Sequence, residues 1–330
     1  MLTVLNDVHI GAIRVAGTTP TTKLALQAHL LSQFKALLPN SDLMILGDLF
    51  DTHDTNIYDV YQTYKMLSRW ADDTEKKLYL VAGNHDISKT STTFSSFEML
   101  CNLLKFAHPN VTVIMTPQMT PHGYVIPHLP NQAAFDKALE SVPECDVLYL
   151  HVNYNNSFAA QSDQSLNLTA KQAEACLAKQ IVIAHEHNYK VAGKVTLPGN
   201  QVASSVSDWV NSPSKSYVTV TNGTVEVKHV RHAIEEYVEL PWKLLEITSH
   251  KFVRVVGTAT SEEATQVVSA IAKFRQISPA LVVSNAVEIA LNDDSGDFAA
   301  SLEAAQGFDV WQALEAHFTA SEVTKLRALT

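Results

Sequence analysis

The chain has 330 residues, 46% of them hydrophobic, enough to bury a full core and to divide into one large domain and a smaller one. Its 24 Lys and Arg against 34 Asp and Glu give a formal charge of -10, which excludes a protein held to nucleic acid by bulk positive charge and leaves only local contact. Cys101, Cys145 and Cys176 are far apart and outside any C-x-x-C spacing, which argues against a disulfide scaffold. No apolar run approaches ~18 residues and Leu2 already enters a strand without a basic or apolar leader, so no membrane span and a cytoplasmic location are expected.

In chain order, five short apolar runs end in residues able to hold metal ions. Residues 2–5 lead to Asp7 and His9, and 43–46 to Gly47, Asp48, Leu49, Phe50 and Asp51. Residues 78–81 lead to Gly83, Asn84, His85 and Asp86, 147–150 to His151, and 181–183 to His185, Glu186 and His187. Each run has the length and branched-residue content of a buried strand, so each motif falls at a strand's carboxyl end, where open α/β sheets bind ligands. Helical spacing predicts helices over 21–38, 57–70, 94–106, 131–141 and 169–179, and the alternation of strand and helix predicts a layered α/β domain. Beyond His187, residues 191–200 and 217–230 are strand-like, the latter folded at Thr221-Asn222-Gly223 by a hairpin signal.

A second unit starts near Pro241, with a strand at 252–256, a helix at 262–274 capped by Ser261, and strand-like runs at 280–283 and 286–291. The expected domains are therefore 1–238, a small α+β cap at 239–292, and a linker with a helical tail at 293–330. In that tail Val310, Leu314 and Phe318 share one helical face, and Val323, Leu326 and Leu329 make a shorter stripe.

The residue types point to chemistry. Two divalent cations about 3.5–4 Å apart need one ligand that touches both, and a carboxylate with two anionic oxygens does this better than imidazole, which makes Asp48 the natural bridge. Asp7 with His9, and His185 with His187, stand two apart where a chain bending out of a strand can bring both to ions. Asn84 adds a neutral oxygen, and the mixed oxygen and nitrogen set suits manganese, with iron, zinc and magnesium as alternatives, better than calcium.

These residues resemble the calcineurin-like metallophosphoesterase family, whose motifs run D-x-H, G-D, G-N-H-[DE], H and G-H-x-H in this order, and the resemblance covers about residues 2–200. It implies a metallophosphoesterase sandwich, two sheets flanked by helices. It also implies one metal on Asp7, His9, Asp48 and His187 and another on Asp48, Asn84, His151 and His185. His85 takes the place of the family's non-ligand histidine, which stabilises the transition state and protonates the leaving oxygen, and Asp51 that of the carboxylate which orients it. Ala184 departs from the usual glycine before the final histidine pair. Within the family, the Asp48-Leu49-Phe50-Asp51 and Asn84-His85-Asp86 blocks, the Leu197-Pro198-Gly199 turn and the trailing hairpin resemble SbcD-type DNA nucleases. Thr52 and Asp86 stand where protein phosphatases carry Arg and Glu.

That likeness implies a manganese-dependent exo- or endonuclease in which a metal-activated hydroxide attacks phosphorus in line. It also implies a homodimer built through residues 21–38 and 57–70, with Leu24, Leu31 and Phe34 among its apolar positions, and an SbcC-like coiled-coil ATPase docked on the terminal helices. Two alternatives stand beside it: a hydrolase of small phosphodiesters or nucleotides with no ATPase partner, and a DNA-end or ATPase-binding subunit whose cutting is secondary. A lone Asp-x-His or His-x-His is usually incidental, whereas five ordered blocks are not. His29, His108, His128, His229 and His317 are assigned core or surface positions, and His53 and Asp54 a solvated loop. Arg14, Lys89, Lys190 and Lys194 follow motif loops and are candidates for phosphate contact.

Overall fold

Period-two alternation in the apolar runs decides the layering. In β1 (Leu2–Leu5), β2 (Asp42–Leu46) and β3 (Leu78–Val81), one face presents Leu2, Val4, Met44, Leu46, Tyr79 and Val81 to a second sheet. The other face presents Leu5, Leu43, Ile45, Leu78 and Leu80 to helices. Strands of this kind, apolar on both faces, belong in the middle of a layered structure. The structure, a computed structural model, describes residues 1–12, 20–88, 93–156, 165–211, 215–230 and 236–290, with side chains in the first helix from Leu24 onward.

Two six-stranded sheets face each other. With β4 (Val111–Ile114) and the hairpin β13 (Ser216–Thr221) and β14 (Thr224–His229), the first sheet has the order β14-β13-β1-β2-β3-β4, parallel from β1 to β4. The second contains β5 (Gln118–Thr120), β6 (Gly123–Ile126), β7 (Val147–His151), β10 (Gln180–Ala184), β11 (Lys190–Ala192) and β12 (Val195–Leu197), in the order β11-β12-β10-β7-β6-β5. A short ladder of β8 (Asn153–Tyr154) and β9 (Asn167–Leu168) follows His151. Val147, Tyr149, Val182 and Ala184 fill the second sheet's inner face, and Tyr149, fully buried, places its hydroxyl 3.1 Å from the His122 carbonyl, so no polar group is stranded there.

The helices α1 (Pro20–Leu37), α2 (Ile57–Ala71) and α3 (Ser96–Ala107) cover the first sheet, and α4 (Gln132–Glu140) and α5 (Ala170–Ala175) the second. Their starts follow from side-chain caps: Asn56 accepts from Tyr58, Asn131 from Ala134, and Ser95 with Glu98 and Thr169 with Gln172 form capping boxes. Helix α5 is shorter than its spacing predicts, because Cys176 turns extended and Lys194 draws the carbonyls of Cys176 and Ala178 to itself at 2.6 and 3.0 Å. The segment 191–200 is a β11–β12 hairpin rather than one strand, turned at Gly193 with φ +59°. Asn222 and Gly223, at φ 50° and 77°, close the β13–β14 hairpin where expected.

A three-stranded parallel sheet ends the described chain, with β15 (Tyr237–Pro241), β16 (Phe252–Thr260) and β17 (Val282–Ala290) in the order β15-β16-β17. Helix α7 (Ala264–Ile277) buries Val267, Ile271 and Phe274 against Val253 and Val255. Its N-cap is Glu263, not Ser261. The Glu263 carboxylate accepts from the Thr260 amide at 3.1 Å, and the Ser261 hydroxyl turns instead to the Ala290 carbonyl at 3.4 Å. The two strand-like runs expected at 280–291 are one strand, because pairing of Ser284 and Asn285 with Arg254 and Val255 carries the ladder through them. Between this sheet and the sandwich lies α6 (Val206–Asn211), whose Val206 and Trp209 pack with Leu26, Leu30, Phe252 and Leu281. No helix among the described residues is long and apolar enough to cross a membrane. The terminal stripes from Val310 to Leu329, Arg14, Lys89 and His317 lie outside the described residues.

Candidate metal centre

The carboxyl ends of β1, β2, β3, β7 and β10 converge on one rim, and the loops leaving them are tied edge to edge. The Asp7 amide donates to the Gly47 carbonyl at 3.1 Å, His9 to Asp48 at 3.1 Å and Ile10 to Leu49 at 2.9 Å, so the loops continue the β1–β2 alignment past the strands. Four candidate ligands then leave the strand direction through left-handed backbone: Asp7 (φ 50°), His9 (51°), Asp48 (51°) and His185 (96°). Such conformations cost about 1–3 kcal/mol each in non-glycine residues and gather where surroundings impose them, typically at functional sites.

Two clusters and a third group that links them result. Metal-binding atoms of Asp7, His9 and His187 lie within 4.8 Å of one another, as do those of Asp48, His151 and His185, and those of His9, Asp48 and His85. Asn84 joins the second group, its Oδ1 lying 3.0 Å from His151 Nε2 and 2.9 Å from His185 Nδ1. Asp48 sits between the groups. Its Oδ1 accepts from the His85 amide at 2.9 Å, while Oδ2 is 3.3 Å from His151 Nε2 and 4.0 Å from both His9 Nε2 and His85 Nε2.

The donor set fits cations. His187 Nδ1 faces an Asp208 carboxylate oxygen at 2.9 Å and His151 Nδ1 faces the Leu46 carbonyl at 3.0 Å. Both partners only accept, so Nδ1 carries the hydrogen and Nε2 offers its lone pair to the site. His187 Nε2 then meets His9 Nε2 at 3.0 Å; a carboxylate oxygen of Asp7 is within 4.8 Å of ligand atoms on both, and its Oδ1 is buried with no hydrogen-bond partner among the described residues. Likewise His151 Nε2 meets the oxygens of Asn84 and Asp48. Lone pairs pointed at one another in a buried place require a cation or a proton between them. The charges respond accordingly. Burial alone would raise Asp48, but His151, His9 and His85 hold it well below the usual carboxylate range. Burial would lower His151, but the negative charge of Asp48 raises it to about 9.

Two glycines make this approach possible. A Cβ on Gly47 would fall 2.1 Å from His151 Nδ1, and one on Gly83 would fall 2.2 Å from Asp48 Oδ1. The first-sheet loops are locked to each other by Asp86, fully buried, which accepts from the amides of Gly83 at 3.0 Å and Phe50 at 3.1 Å; burial and then the Asp48 charge push it up to about 7. Asp7 is steadied by Asn6, whose amide nitrogen is 2.5 Å from Asp7 Oδ2 and whose backbone donates to Gln201 at 2.7 Å.

His85 differs from the ligand histidines in access. Its side chain is 34% exposed, against 2% for His9 and 0% for His151. Its Nδ1 is held by the Asp51 backbone carbonyl at 2.6 Å, which leaves Nε2 to face the rim. This corrects the expectation for Asp51. The carbonyl contacts His85, while the carboxylate lies 3.2 Å from His9 Nδ1, because the loop after β2 passes His85 with its backbone.

All seven expected ligands and His85 are thus brought together. Sequence reasoning missed the residues behind them, Asp208 above all. It is buried; burial would raise its carboxyl, but the hydrogen bond and charge of His187, with the charge of Lys215, hold it far below the usual range. It stands 21 residues beyond His187 with no motif spacing to mark it. Of the cations singled out, Lys194 is committed to the carbonyls after α5, and Lys190 lies over the Tyr154 ring at 5.4 Å. His53 is half-buried and gives its carbonyl to Ser96, and Asp54 is exposed. His29 pairs with Glu236, His108 with Ser68, and His229 lies edge-on to Tyr189, none of them at the rim. His128 is nearer the site than expected. Its amide donates to the carbonyl of Ala82, and burial, then the charge of His151, lowers its imidazole to about 4.

The profile of the calcineurin-like phosphoesterases matches residues 1–202, which contain every one of these ligands. The chain belongs to that family. As a calcineurin-like phosphoesterase it is a metal-dependent hydrolase of phosphoesters, and the family binds two divalent ions, which the clusters on either side of Asp48 could hold. No curated protein sequence matches the chain. Among solved structures it is similar to TT1561 of Thermus thermophilus, at 11% identity and a TM-score of 0.40 over 70% of this chain and 98% of the other. It is also similar to the Pseudomonas putida nuclease MPE, at 20% identity and a TM-score of 0.25 over 46% of this chain and 62% of the other.

Proposed function

We propose that this phosphoesterase is a two-metal phosphodiesterase acting on DNA, of the SbcD type, with manganese as its working ion. The observation that carries the reading is the buried Asp48 between two donor clusters, its Oδ2 3.3 Å from His151 in one and 4.0 Å from His9 in the other, with the partly exposed His85 beside them. Cations held there supply Lewis acidity and a water of lowered pKa. The chain's own residues do the rest. Asp48 spans both clusters, and Asp7 and Asn84 anchor one each. His85, its Nδ1 fixed by the Asp51 carbonyl, presents Nε2 towards the open rim, where in its protonated form it donates a proton to the departing sugar oxygen. DNA as substrate is supported by the Asp48-Leu49-Phe50-Asp51 and Asn84-His85-Asp86 blocks, the turn at Gly199 and the hairpin after it.

In the same reading residues 1–238 are the catalytic domain, 239–292 a cap beside the rim, and 293–330 the docking segment for an SbcC-like ATPase. Two copies pair through α1 and α2. Supporting that pairing, an open groove of about 900 Å³ runs between these helices, lined by Leu24, Leu31, Tyr58, Met66 and Trp70. Phe34 takes no part, because it is fully buried against the first sheet.

The test is digestion of end-labelled single- and double-stranded DNA by the full chain with manganese, beside its His85→Ala variant and a bis-aryl phosphodiester. The reading predicts DNA cutting that chelator abolishes and the variant nearly loses. Activity confined to the small diester, or cutting that persists in chelator, contradicts it.

A further inference from the structure

Each oxygen of the Asp208 carboxylate has its own task. Oδ2 accepts from the amides of Ser204 at 2.9 Å and Ser205 at 3.1 Å, and the Ser205 hydroxyl accepts in return from the Asp208 amide at 3.3 Å, an N-terminal capping arrangement for α6. A cap alone would leave the other oxygen to water. Instead Oδ1 is turned to His187 Nδ1 at 2.9 Å. The backbone carbonyl of Asp208 is held as well, at 2.7 Å from the buried Lys215 ammonium, which also reaches Asn200 Oδ1 at 2.6 Å.

The next residue faces the other way. Trp209 is buried, its ring 5.7 Å from that of Phe252, the first residue of β16 in the three-stranded sheet, and Val206, Leu281 and Val282 complete the contact. Through Asp208 and Trp209, consecutive residues of one short helix, the metal centre and the cap grip the same element.

We propose that α6 is a positioning link: Asp208 sets the tautomer and direction of His187 for its ion, and the seating of the cap on Trp209 sets how well Asp208 does so. The inference rests on the two-metal reading of this site and adds to it a route by which a partner engaging the cap alters the metal centre without touching a ligand. Carboxylates behind metal-binding imidazoles are worth about 10–100-fold in metal affinity. Interior packing transmits a shift of this kind because a close-packed helix moves as a unit.

The experiment is calorimetric titration of the metal-free full chain with manganese, alongside thermal unfolding in chelator. Asp208→Asn keeps the side chain's shape and one acceptor but removes its charge. It is expected to weaken one of two ions by about 10–100-fold and leave the other unchanged. Trp209→Ala and Phe252→Ala are expected to weaken that same ion by a smaller factor, and Ser205→Ala, which keeps the amide that Asp208 Oδ2 accepts from, to lower the unfolding temperature and weaken the ion less than Asp208→Asn does. The proposal is overturned if Asp208→Asn binds both ions like the parent, if Ser205→Ala weakens the ion as much as Asp208→Asn does, or if the Trp209 and Phe252 variants leave it untouched. A parent protein that takes up fewer than two ions defeats the reading underneath, a result distinct from all of these.

Discussion

The first sheet brings Asp7, His9, Asp48, Asn84 and His85 to the rim, whereas the second brings imidazoles alone, His151, His185 and His187. Every anionic or amide donor therefore comes from one sheet, and its counterpart crosses from the other. The difference shows in the backbone. On the first-sheet side two glycines, Gly47 and Gly83, make room for the crossing imidazole and for Asp48, and Asp86 clamps the loops together. On the second-sheet side the rings are aimed from behind, His151 by the Leu46 carbonyl and His187 by Asp208. Neither sheet alone can hold an ion pair, so the site exists only where the sandwich is closed.

The strongest way to break this division of labour is at its shared member. Asp48→Ala removes the oxygens that face both clusters, and several kcal/mol of lost charge stabilisation corresponds to a fall of about a thousandfold or more in turnover, with uptake of both ions disturbed. A variant that still binds two ions tightly would show that Asp48 is not shared. His85→Ala should cost about a hundredfold or more in activity while calorimetry shows two ions bound nearly as before, since His85 is the open histidine of the first sheet. Loss of an ion in that variant would make His85 a ligand instead.

Sharper still is a test of the glycines. Gly83→Ala places a methyl 2.2 Å from Asp48 Oδ1 and 2.3 Å from its backbone nitrogen, which cannot both yield, and Gly47→Ala adds strain at φ +82°. Each should lower stability by roughly 1–3 kcal/mol in a chelator-treated melt and weaken metal uptake. Wild-type melting of Gly47→Ala would mean that His151 stands farther from the first sheet than described, and of Gly83→Ala that the loops after β2 and β3 do from each other. A further test is graded by pH, each unit counting for less than any of these substitutions. Metal-free His151, raised to about 9 across from Asp48, holds a proton that an ion must displace. Affinity should therefore climb about tenfold per pH unit below pH 9 and flatten above it. Affinity independent of pH between 6 and 8 would show that His151 is not displaced from a proton.

Much of this was legible in the chain because strand ends and ligands coincide. Apolar runs closed by Asp7, Asp48, Asn84, His151 and His185 give both the layers and the donor set, and short-range signals such as Ser95 with Glu98 or Asn222 with Gly223 mark helix starts and turns. What the chain did not show depends on contacts made at long range. Asp208 acquires its partner only when α6 folds back on the rim, and the task of Asp51 passed from carboxylate to carbonyl because a loop's path has no sequence signature. Ser261 lost its cap to Glu263 for a local reason, a turn closed by Thr260 that competes with the expected one. Phe34 read as a face residue and is core, since one helix periodicity serves both sides of α1.

The central claim is that two ions share Asp48 between the sheets. Electron paramagnetic resonance of the full chain loaded with manganese tests it most directly. The account predicts two ions per chain whose spins are coupled through the bridge, with coupling absent in Asp48→Ala. A single ion, or two uncoupled ones, would contradict it.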